Sequence, residues 1–233
     1  MSLGEIEDAT PIPRAGTCSR HGGAADLHRF GRVCPSRTGR DQNLGDSGIY
    51  GQGVGRNETY PAKLERALKA RGHDVSVANA GSNGDTTQGV LNRLDTAVPQ
   101  GTQIVVLSVG VNDVVQFGID AKTMFTTLGA IIRRLRQRGI EVLVFLPITF
   151  DKSALKGELA DAPQAVQDAF SGAVKAGVLF TPSMQWKIRD DPKLHVEQVQ
   201  KGTMWHLTPA GYDMIVARTL PLVEELIGRV KKQ

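Results

Sequence analysis

The stretch that most constrains the fold of this 233-residue chain is an almost unbroken apolar run at residues 103–109, Gln-Ile-Val-Val-Leu-Ser-Val. A strand with one face exposed to solvent alternates apolar and polar residues. A strand that is buried on both faces of a parallel sheet is apolar almost throughout. A second run of this kind occupies residues 140–148, where Pro147 would stop the strand. Doubly buried strands need helices on both faces of their sheet, so these runs predict a layered α/β domain.

Segments with helical periodicity alternate with these runs. The clearest has apolar residues three and four positions apart from Met124 to Leu135, and Gly139 follows its last turn. Pro221 is predicted to kink or break the last helix, because proline lacks an N–H and clashes with the preceding turn. The other predicted elements are helices that begin near Thr59, Asp85, Gln164 and Thr208, strands at residues 73–79 and 177–180, and irregular chain at 181–205. Strands that alternate with helices predict βαβ units, a parallel sheet and a three-layer α/β domain.

The first 43 residues differ from the rest of the chain. They contain six arginines, several Gly, Pro and Ser residues, and no sustained apolar period. We therefore predict an irregular or poorly structured segment at residues 1–43 and a folded domain at residues 44–233. The abrupt change at Leu44 also suggests the hypothesis of a non-native leader, or an altered reading frame, in front of a normal domain. The two cysteines, Cys18 and Cys34, could form one disulfide but have no metal-ligand spacing.

Charge and hydropathy argue against two classes of partner. The net charge is +4, but the basic residues are scattered among acids. The densest basic run, residues 133–136, lies on the amphipathic helix and is predicted to be a solvated face, so no nucleic-acid partner is expected. No run of 18 or more apolar residues is present, which predicts no membrane span. A soluble protein, cytoplasmic or exported with its signal peptide already removed, fits this composition, and the oligomeric state stays open.

Polar and glycine-rich sequences fall where the predicted strands end. They are Gly45-Asp46-Ser47, residues 79–86 (Asn-Ala-Gly-Ser-Asn-Gly-Asp-Thr), Gly110-Val111-Asn112-Asp113, and His206 just before the last helix. Taken singly, each has an ordinary explanation as a turn, a helix cap or a strand-to-loop junction. Ligands of parallel α/β folds bind at the carboxyl ends of the strands. The order of these sequences along the chain therefore predicts that they meet at one edge of the sheet.

Together these four sequences closely resemble the SGNH-hydrolase (GDSL-lipase) superfamily over residues 44–228. Within it, the chain is similar to the small bacterial arylesterases, lysophospholipases and acyl thioesterases. The resemblance implies a flavodoxin-like fold, an α/β/α sandwich around a mostly parallel five-stranded sheet. It also implies that Ser47 is the nucleophile and His206 the general base of a serine esterase. The oxyanion hole would be the backbone amides of Ser47 and Gly84 with the side-chain amide of Asn112.

The residue types suit that chemistry. A serine hydroxyl is a weak nucleophile until a neighbouring base takes its proton. Glycine at position 84 lets a backbone amide approach the substrate without a side chain in the way. Asn112 offers two N–H donors, and loss of one such donor in another enzyme costs about 2.7–4 kcal/mol of transition-state stabilisation.

The resemblance also implies a class of substrate. This is a small-molecule carboxylic ester with a short to medium acyl group, namely an aryl ester, a lysophospholipid or a thioester. Hydrolysis would pass through an acyl-enzyme on Ser47 and would need no metal or organic cofactor. Asp46, Val111 and Trp205 are the expected substrate contacts, and the loop at residues 149–163 is a further candidate wall of the pocket.

The sequence departs from the family at the residue that should orient His206. The family has Asp-x-x-His, and Thr203 stands here in place of the Asp. Threonine cannot stabilise an imidazolium by charge, and a neutral residue at this place in a well-studied triad lowers turnover about 10⁴-fold. A backbone carbonyl, Asp190, Asp191 or Glu197 are open alternatives, with Asp191 preferred. The alternative functions are therefore a catalytically weak relative that binds an acylated ligand, or a carbohydrate O-acetyl esterase.

Two further departures lie around Ser47. Gly48 stands where the family usually has Leu or Ile, and glycine is expected to loosen the turn. The family's first strand is apolar, but residues 40–43 are Arg-Asp-Gln-Asn. Burying Arg and Asp between two helix layers is costly unless they are paired. We expect either a weak strand at this place or a strand supplied by residues 26–34.

Overall fold

The fold is built on a five-stranded parallel sheet. A computed structural model of the protein describes residues 39–147, 164–185, 188, 191–197 and 205–230. The strands are β1 (Gly39–Gly45), β2 (Val75–Gly81), β3 (Thr102–Ser108), β4 (Glu141–Phe145) and β5 (Leu179–Thr181). They lie in the order β2-β1-β3-β4-β5, and every neighbouring pair is parallel. The predicted mostly parallel five-stranded sheet is confirmed.

Helices cover both faces of this sheet. They are α1 (Ser47–Tyr50), α2 (Tyr60–Ala70), α3 (Thr87–Asn92), α4 (Leu94–Ala97), α5 (Val111–Val115), α6 (Ala121–Gln137), α7 (Gln164–Lys175) and α8 (Pro209–Val230), with a 3-10 turn at Arg56–Glu58. Helices α2 and α8 pack on one face, and α3, α4, α6 and α7 pack on the other. On β3, Ile104 and Val106 contact the first group, whereas Val105 and Leu107 contact the second. Burial on both faces explains the continuous apolar run, and the predicted three-layer architecture is confirmed.

Local signals set the ends of the helices. Thr59 is the N-cap of α2 and Pro61 lies in its first turn, as predicted. At α6, the carboxylate of Asp120 accepts a hydrogen bond of 2.9 Å from the amide of Thr123. Gly139 follows the last turn of α6 with a φ of 74°, a conformation that favours glycine. The sequence therefore identifies both helices, the start of α2 and the end of α6, whereas the N-cap at Asp120 was not predicted.

The first strand forms at the place where the sequence allows a weak strand, but the predicted boundary at residue 43 needs a correction. Residues 39–43, which the sequence places in an irregular segment, belong to β1 in the middle of the sheet. The whole strand pairs with β2 on one side, and all of it from Arg40 onward pairs with β3 on the other. Main-chain pairing on both sides does not require apolar side chains, so β1 forms in spite of its sequence. Residues 26–34, the alternative source of this strand, lie outside the described residues.

Two polar side chains of β1 are buried, which opposes the formation of this strand. Asp41 and Asn43 are 6% and 0% exposed and lie in register with Ile104 and Val106 of β3. Oδ2 of Asp41 and both side-chain polar atoms of Asn43 have no hydrogen-bond partner among the described residues. Burial raises the pKa of Asp41 to about 7, although a hydrogen bond from the backbone of Ile104 opposes the shift. The strand is thus held by its backbone against unfavourable side-chain burial.

Two predictions for the C-terminal part are corrected. Helix α8 continues through Pro221, so the proline does not break it. Leu220 and Val223 are buried on either side of the proline, and this packing holds the helix on the sheet. The stretch predicted to be irregular contains β6 (His195–Glu197), which pairs antiparallel with β7 (Trp205–Leu207). The loop at residues 149–163 lies outside the described residues. Among the helices that the structure describes, none is both long and apolar enough to cross a membrane.

Candidate active site

Ser47 lies at the start of α1, directly after the tight turn that ends β1. It is the first residue of α1 and follows Asp46 directly. Gly45 has a φ of 153°, and a Cβ at this position would lie 1.8 Å from the carbonyl oxygen of Ser108. The amide of Asp46 donates to that same oxygen at 3.1 Å. Only glycine fits so close to β3, and this approach fixes Ser47 at the carboxyl end of the sheet.

The carboxylate of Asp46 caps α1. Its Oδ1 accepts a hydrogen bond of 3.0 Å from the amide of Gly48. The pKa of Asp46 is raised to about 7, mainly by burial. The hydrogen bond from Gly48 lowers this pKa, whereas the nearby carboxylates of Asp85 and Asp113 raise it further. From α8, the hydroxyl of Tyr212 donates to the carbonyl of Gly48 at 2.9 Å. These two hydrogen bonds hold the four-residue helix in place.

His206 reaches Ser47 from the other end of the chain. It lies in β7, and its Nε2 is 3.0 Å from Oγ of Ser47 although 159 positions separate the two residues. The imidazole is 7% exposed, and burial lowers its pKa. A neutral imidazole that carries its proton on Nδ1 offers Nε2 as an acceptor for the serine proton. This geometry can activate a serine hydroxyl as a nucleophile.

Gly84 lies on the loop that follows β2, and Asn112 lies in α5, just after β3. Gly84 has a φ of 72°, and a Cβ there would meet no heavy atom within 4 Å. Its backbone conformation, rather than crowding by the protein, therefore calls for glycine. Asn112 is fully buried, and its Nδ2 donates to the carbonyl of Asp85 at 2.8 Å. Because this nitrogen carries two hydrogens, one remains for a ligand.

Asp113, to which the sequence analysis assigned no role, ties α5 to α3. Its carboxylate is fully buried and accepts hydrogen bonds of 2.9 and 3.2 Å from the amide of Thr87. It also accepts a hydrogen bond of 2.5 Å from the hydroxyl of Thr87. A carboxylate against the first turn of α3 satisfies an amide that has no partner within the helix. The loop that carries Gly84 and the helix that carries Asn112 are thereby linked.

A cavity of about 30 Å³ adjoins Ser47 and His206. Its walls include Asp46, Val111, Phe145, Ser183 and Met184. The first two are substrate contacts predicted from the sequence, and the other three were missed. The position of Phe145 at the end of β4 is a signal that could have found it, because ligands bind at the carboxyl ends of strands. Ser183 and Met184 follow the end of β5, so the same signal could have found them.

Met184 accounts for the unusual glycine after Ser47. A Cβ at Gly48 would lie 3.0 Å from Sδ of Met184 and 3.3 Å from Oδ1 of Asp46. Met184 is 4% exposed, so its side chain is confined. The sulfur atom crowds the space that a Leu or Ile at position 48 would enter. The predicted loosening of the turn is countered by the hydrogen bonds that both backbone polar groups of Gly48 make.

Comparison with known proteins adds a family to this geometry. Residues 44–214, well over half of the chain, match the model of the GDSL-like Lipase/Acylhydrolase family. The chain belongs to this family. The match begins at Leu44, inside β1, and extends into α8.

Several relatives of this GDSL-like protein are known. An arylesterase from Vibrio mimicus is 32% identical over 102 residues, which are 43% of this chain and 50% of the arylesterase, so the match spans half of that relative's length. The crystal structure of AlinE4, an SGNH-hydrolase family esterase, is 25% identical with a TM-score of 0.55 and covers 82% of this chain and 98% of its own. TesA has a TM-score of 0.63 at 21% identity, with coverage of 80% and 99%. The psychrotrophic esterase EstA from Pseudoalteromonas sp. has a TM-score of 0.61 at 18% identity, with coverage of 81% and 98%. The last two likenesses show the fold alone.

The described residues of this GDSL-like chain supply no group that orients the histidine. Nδ1 of His206 has no hydrogen-bond partner in the described parts of the chain. Asp191, the preferred candidate from the sequence, instead accepts a hydrogen bond of 2.9 Å from the amide of Lys193. The structure therefore does not bring Asp191 to the imidazole. A buried N–H without an acceptor is costly, so this atom is the least supported part of the site.

The other candidates for this role lie at the limits of the described structure. Thr203 and Asp190 are outside the described residues. Glu197 and Trp205 pair through their backbones in the β6–β7 hairpin, and their side chains are not described. Within the described ranges, no group of three or more His, Cys, Asp or Glu side chains is arranged to hold a metal ion.

Proposed function

We propose that this protein is a carboxylic-ester hydrolase that forms an acyl-enzyme on Ser47. The observation that carries the proposal is the distance of 3.0 Å between Oγ of Ser47 and Nε2 of a buried, neutral His206. Membership of the GDSL-like lipase and acylhydrolase family supports it. So does the likeness to AlinE4, an esterase.

In the first half of the reaction, the base is His206. Its Nε2 takes the proton of Ser47 as Oγ attacks the acyl carbon. The negative charge that develops on the carbonyl oxygen is held by the amides of Ser47 and Gly84 and by the second hydrogen of Asn112 Nδ2. An amide at the start of a helix has no acceptor within the helix, which suits the amide of Ser47 to this role. The imidazolium then gives its proton to the leaving alcohol or thiol.

In the second half, water replaces the alcohol. His206 takes a proton from the water, the hydroxide attacks the acyl carbon, and Ser47 leaves with the proton returned by the imidazolium. Both halves place a positive charge on His206, where the described residues supply no carboxylate at Nδ1. Ser47 and His206 therefore act as a dyad, or Nδ1 donates to a group outside the described residues, among which Thr203 has the polar side chain nearest in sequence. We expect a slower enzyme than one with a full triad.

The walls of the cavity favour a compact, apolar acyl group. Val111, Phe145 and Met184 line the cavity beside Ser47 and leave about 30 Å³ between the described residues. We infer that short acyl groups of aryl esters, lysophospholipids or thioesters enter this space. The name of the Vibrio mimicus relative, an arylesterase, supports the aryl esters among them. An acetyl group on a carbohydrate would fit the same cavity.

The test is hydrolysis of p-nitrophenyl acetate by the protein, by Ser47→Ala and by His206→Gln. The matched control is Ser76→Ala, which changes an exposed serine on β2. We expect the protein and Ser76→Ala to turn over the ester, and both site variants to fall to the uncatalysed rate. Equal rates in the protein and in Ser47→Ala would overturn the proposal. The second candidate, a relative that binds an acylated ligand without turnover, would then be favoured, because Nδ1 of His206 has no partner among the described residues.

A further inference from the structure

Arg93 connects two loops of the proposed active site. It follows α3 directly, and its guanidinium reaches in two directions. Nε and Nη2 lie 2.8 and 2.7 Å from Oδ2 of Asp85, the residue after Gly84. Nη2 also donates to the carbonyl of Gly45, two residues before Ser47, at 3.2 Å. One side chain therefore holds both the turn of the nucleophile and the loop that carries Gly84.

The same contacts extend to Asn112 in α5. The backbone carbonyl of Asp85 accepts the hydrogen bond of 2.8 Å from Nδ2 of Asn112. The carbonyl of Gly45 also accepts a hydrogen bond of 2.9 Å from the amide of Ser82. Asp85 thus contacts Arg93 through its carboxylate and Asn112 through its backbone. A displacement of Asp85 would move Gly84 and Asn112 together.

The carboxylate of Asp85 has little freedom to move. Its side chain is 9% exposed, and its Oδ1 accepts a hydrogen bond of 3.0 Å from the amide of Thr86. A Cβ on Gly89 would lie 2.0 Å from that oxygen, so the carboxylate rests against the bare Cα of a glycine in α3. A charge-assisted pair in such a confined place is stronger and better defined than one between mobile surface side chains.

We propose that Arg93 is a positioning residue for the hydrolysis of the ester, an inference that rests on the proposed function. Its guanidinium sets the separation between Ser47 and the two oxyanion donors, Gly84 and Asn112, by fixing Gly45 and Asp85 relative to each other. Arginine is suited to this task because its planar fork donates in two fixed directions, whereas lysine is a single point of charge. Arg93 itself does not contact the reacting atoms.

The first test compares kcat and KM of Arg93→Lys and Arg93→Met with those of the unmodified protein. A misplacement of about 1 Å in an active site costs about 100-fold in rate, so we expect kcat to fall between about 10-fold and 100-fold in Arg93→Met while KM changes little. Arg93→Lys should recover only part of the loss. The control is Arg134→Met, because Arg134 forms an exposed ion pair of 2.8 Å with Asp95 away from the site. A merely structural role would lower the unfolding midpoint and leave the kcat of the folded protein unchanged.

Chemical rescue keeps the test decisive if Arg93→Met folds poorly. Arg93 is 30% exposed, so guanidinium ion can reach the space left in Arg93→Ala from solvent. At concentrations far below those that denature the protein, guanidinium should restore kcat in Arg93→Ala and leave Ser47→Ala inactive.

A double-variant experiment tests the pair of Arg93 and Asp85. Asp85→Asn should lower kcat by a factor similar to that of Arg93→Met. The double variant should be no slower than either single variant, because each substitution removes the same interaction.

The outcomes separate this inference from the proposed function. No turnover that depends on Ser47 in the unmodified protein would overturn both. Turnover that depends on Ser47, with an unchanged kcat in Arg93→Met, would overturn the role of Arg93 alone. A lower kcat in Arg93→Met that guanidinium restores in Arg93→Ala, beside an unaffected Arg134→Met, would support it.

Discussion

The hydroxyl of Tyr212 donates a hydrogen bond of 2.9 Å to the carbonyl of Gly48, the residue that follows Ser47. This bond joins the last helix to the turn that holds Ser47, the proposed nucleophile. Tyr212→Phe removes the donor, so we expect the free energy of unfolding in urea to fall by about 1 kcal/mol. The kcat for p-nitrophenyl acetate should fall too, because the turn is less firmly held. Tyr50→Phe, at a half-exposed tyrosine of α1, should change neither quantity, and an unchanged kcat in Tyr212→Phe would contradict the prediction.

The pH dependence of kcat/KM should report the state of His206. Only the neutral imidazole can accept the serine proton, so kcat/KM rises with pH through the pKa of His206 in the free enzyme. Burial lowers this pKa from its ordinary value of 6.5, which keeps the imidazole neutral into more acidic solution. We therefore expect the midpoint of the acid limb below pH 6.5. A midpoint above that value would indicate a carboxylate, from outside the described residues, that stabilises the imidazolium.

Asp41 should make the stability of the protein depend on pH. Its pKa is about 7 in the folded state, against an ordinary value of 3.8, so the folded protein holds a proton that the unfolded chain has released between these values. The free energy of unfolding should then fall as pH rises through this window, with a limiting slope of about 1.4 kcal/mol per pH unit from this group. Asp41→Asn removes the contribution. The stability gained by Asp41→Asn should be large at neutral pH and vanish below the ordinary pKa, and a pH-independent difference between the two proteins would contradict this account.

Met184 is expected to limit the length of the acyl group. It is a wall of the cavity beside Ser47, and Met184→Ala would enlarge that cavity. An added methylene in an apolar pocket changes selectivity by about tenfold or more. We expect the ratio of turnover of p-nitrophenyl butyrate to that of the acetate to rise by about tenfold in Met184→Ala. Because this ratio does not depend on the folded fraction, it stays meaningful if the variant is less stable. Val174→Ala, at an exposed valine of α7, should leave the ratio unchanged.

Two glycines in helices should respond differently to alanine. At Gly89 the new methyl would meet Oδ1 of Asp85 at 2.0 Å, so the carboxylate must move away from Arg93. We expect Gly89→Ala to lower kcat. At Gly172 in α7 no heavy atom lies within 4 Å of the new Cβ, and alanine should stabilise the helix by about 1 kcal/mol with kcat unchanged. Steady-state kinetics and urea unfolding on both variants check the prediction, and equal kcat values would contradict it.

The parts of the fold that were predictable are those in which a local pattern decides the structure. The apolar run at 103–109 corresponds to β3 (Thr102–Ser108), with a shift of one residue, because burial on both faces demands such a sequence. Helix α6 follows from its apolar face and from Gly139. The order of the elements along the chain was enough to place Ser47 and His206 at the same edge of the sheet.

The parts that were missed depend on contacts between distant residues. The sequence of β1 opposes strand formation, and only its pairing on both sides with β2 and β3 fixes it. The glycine at 48 is explained by Met184, and the position of Arg93 by Gly45, contacts that no local pattern encodes. The group that orients His206 was not found from the sequence. The preferred candidate, Asp191, accepts a hydrogen bond from the amide of Lys193 in its own turn instead.

The separation of 159 positions between Ser47 and His206 has a consequence for the making of the protein. A chain that leaves the ribosome from its N-terminus displays its serine while most of the sheet and the whole of α8 are still to be synthesised. A serine hydroxyl without its base is inert towards esters. Under the proposed function, the hydroxyl of Ser47 therefore stays inert towards esters until β7 has been synthesised and has brought His206 to it.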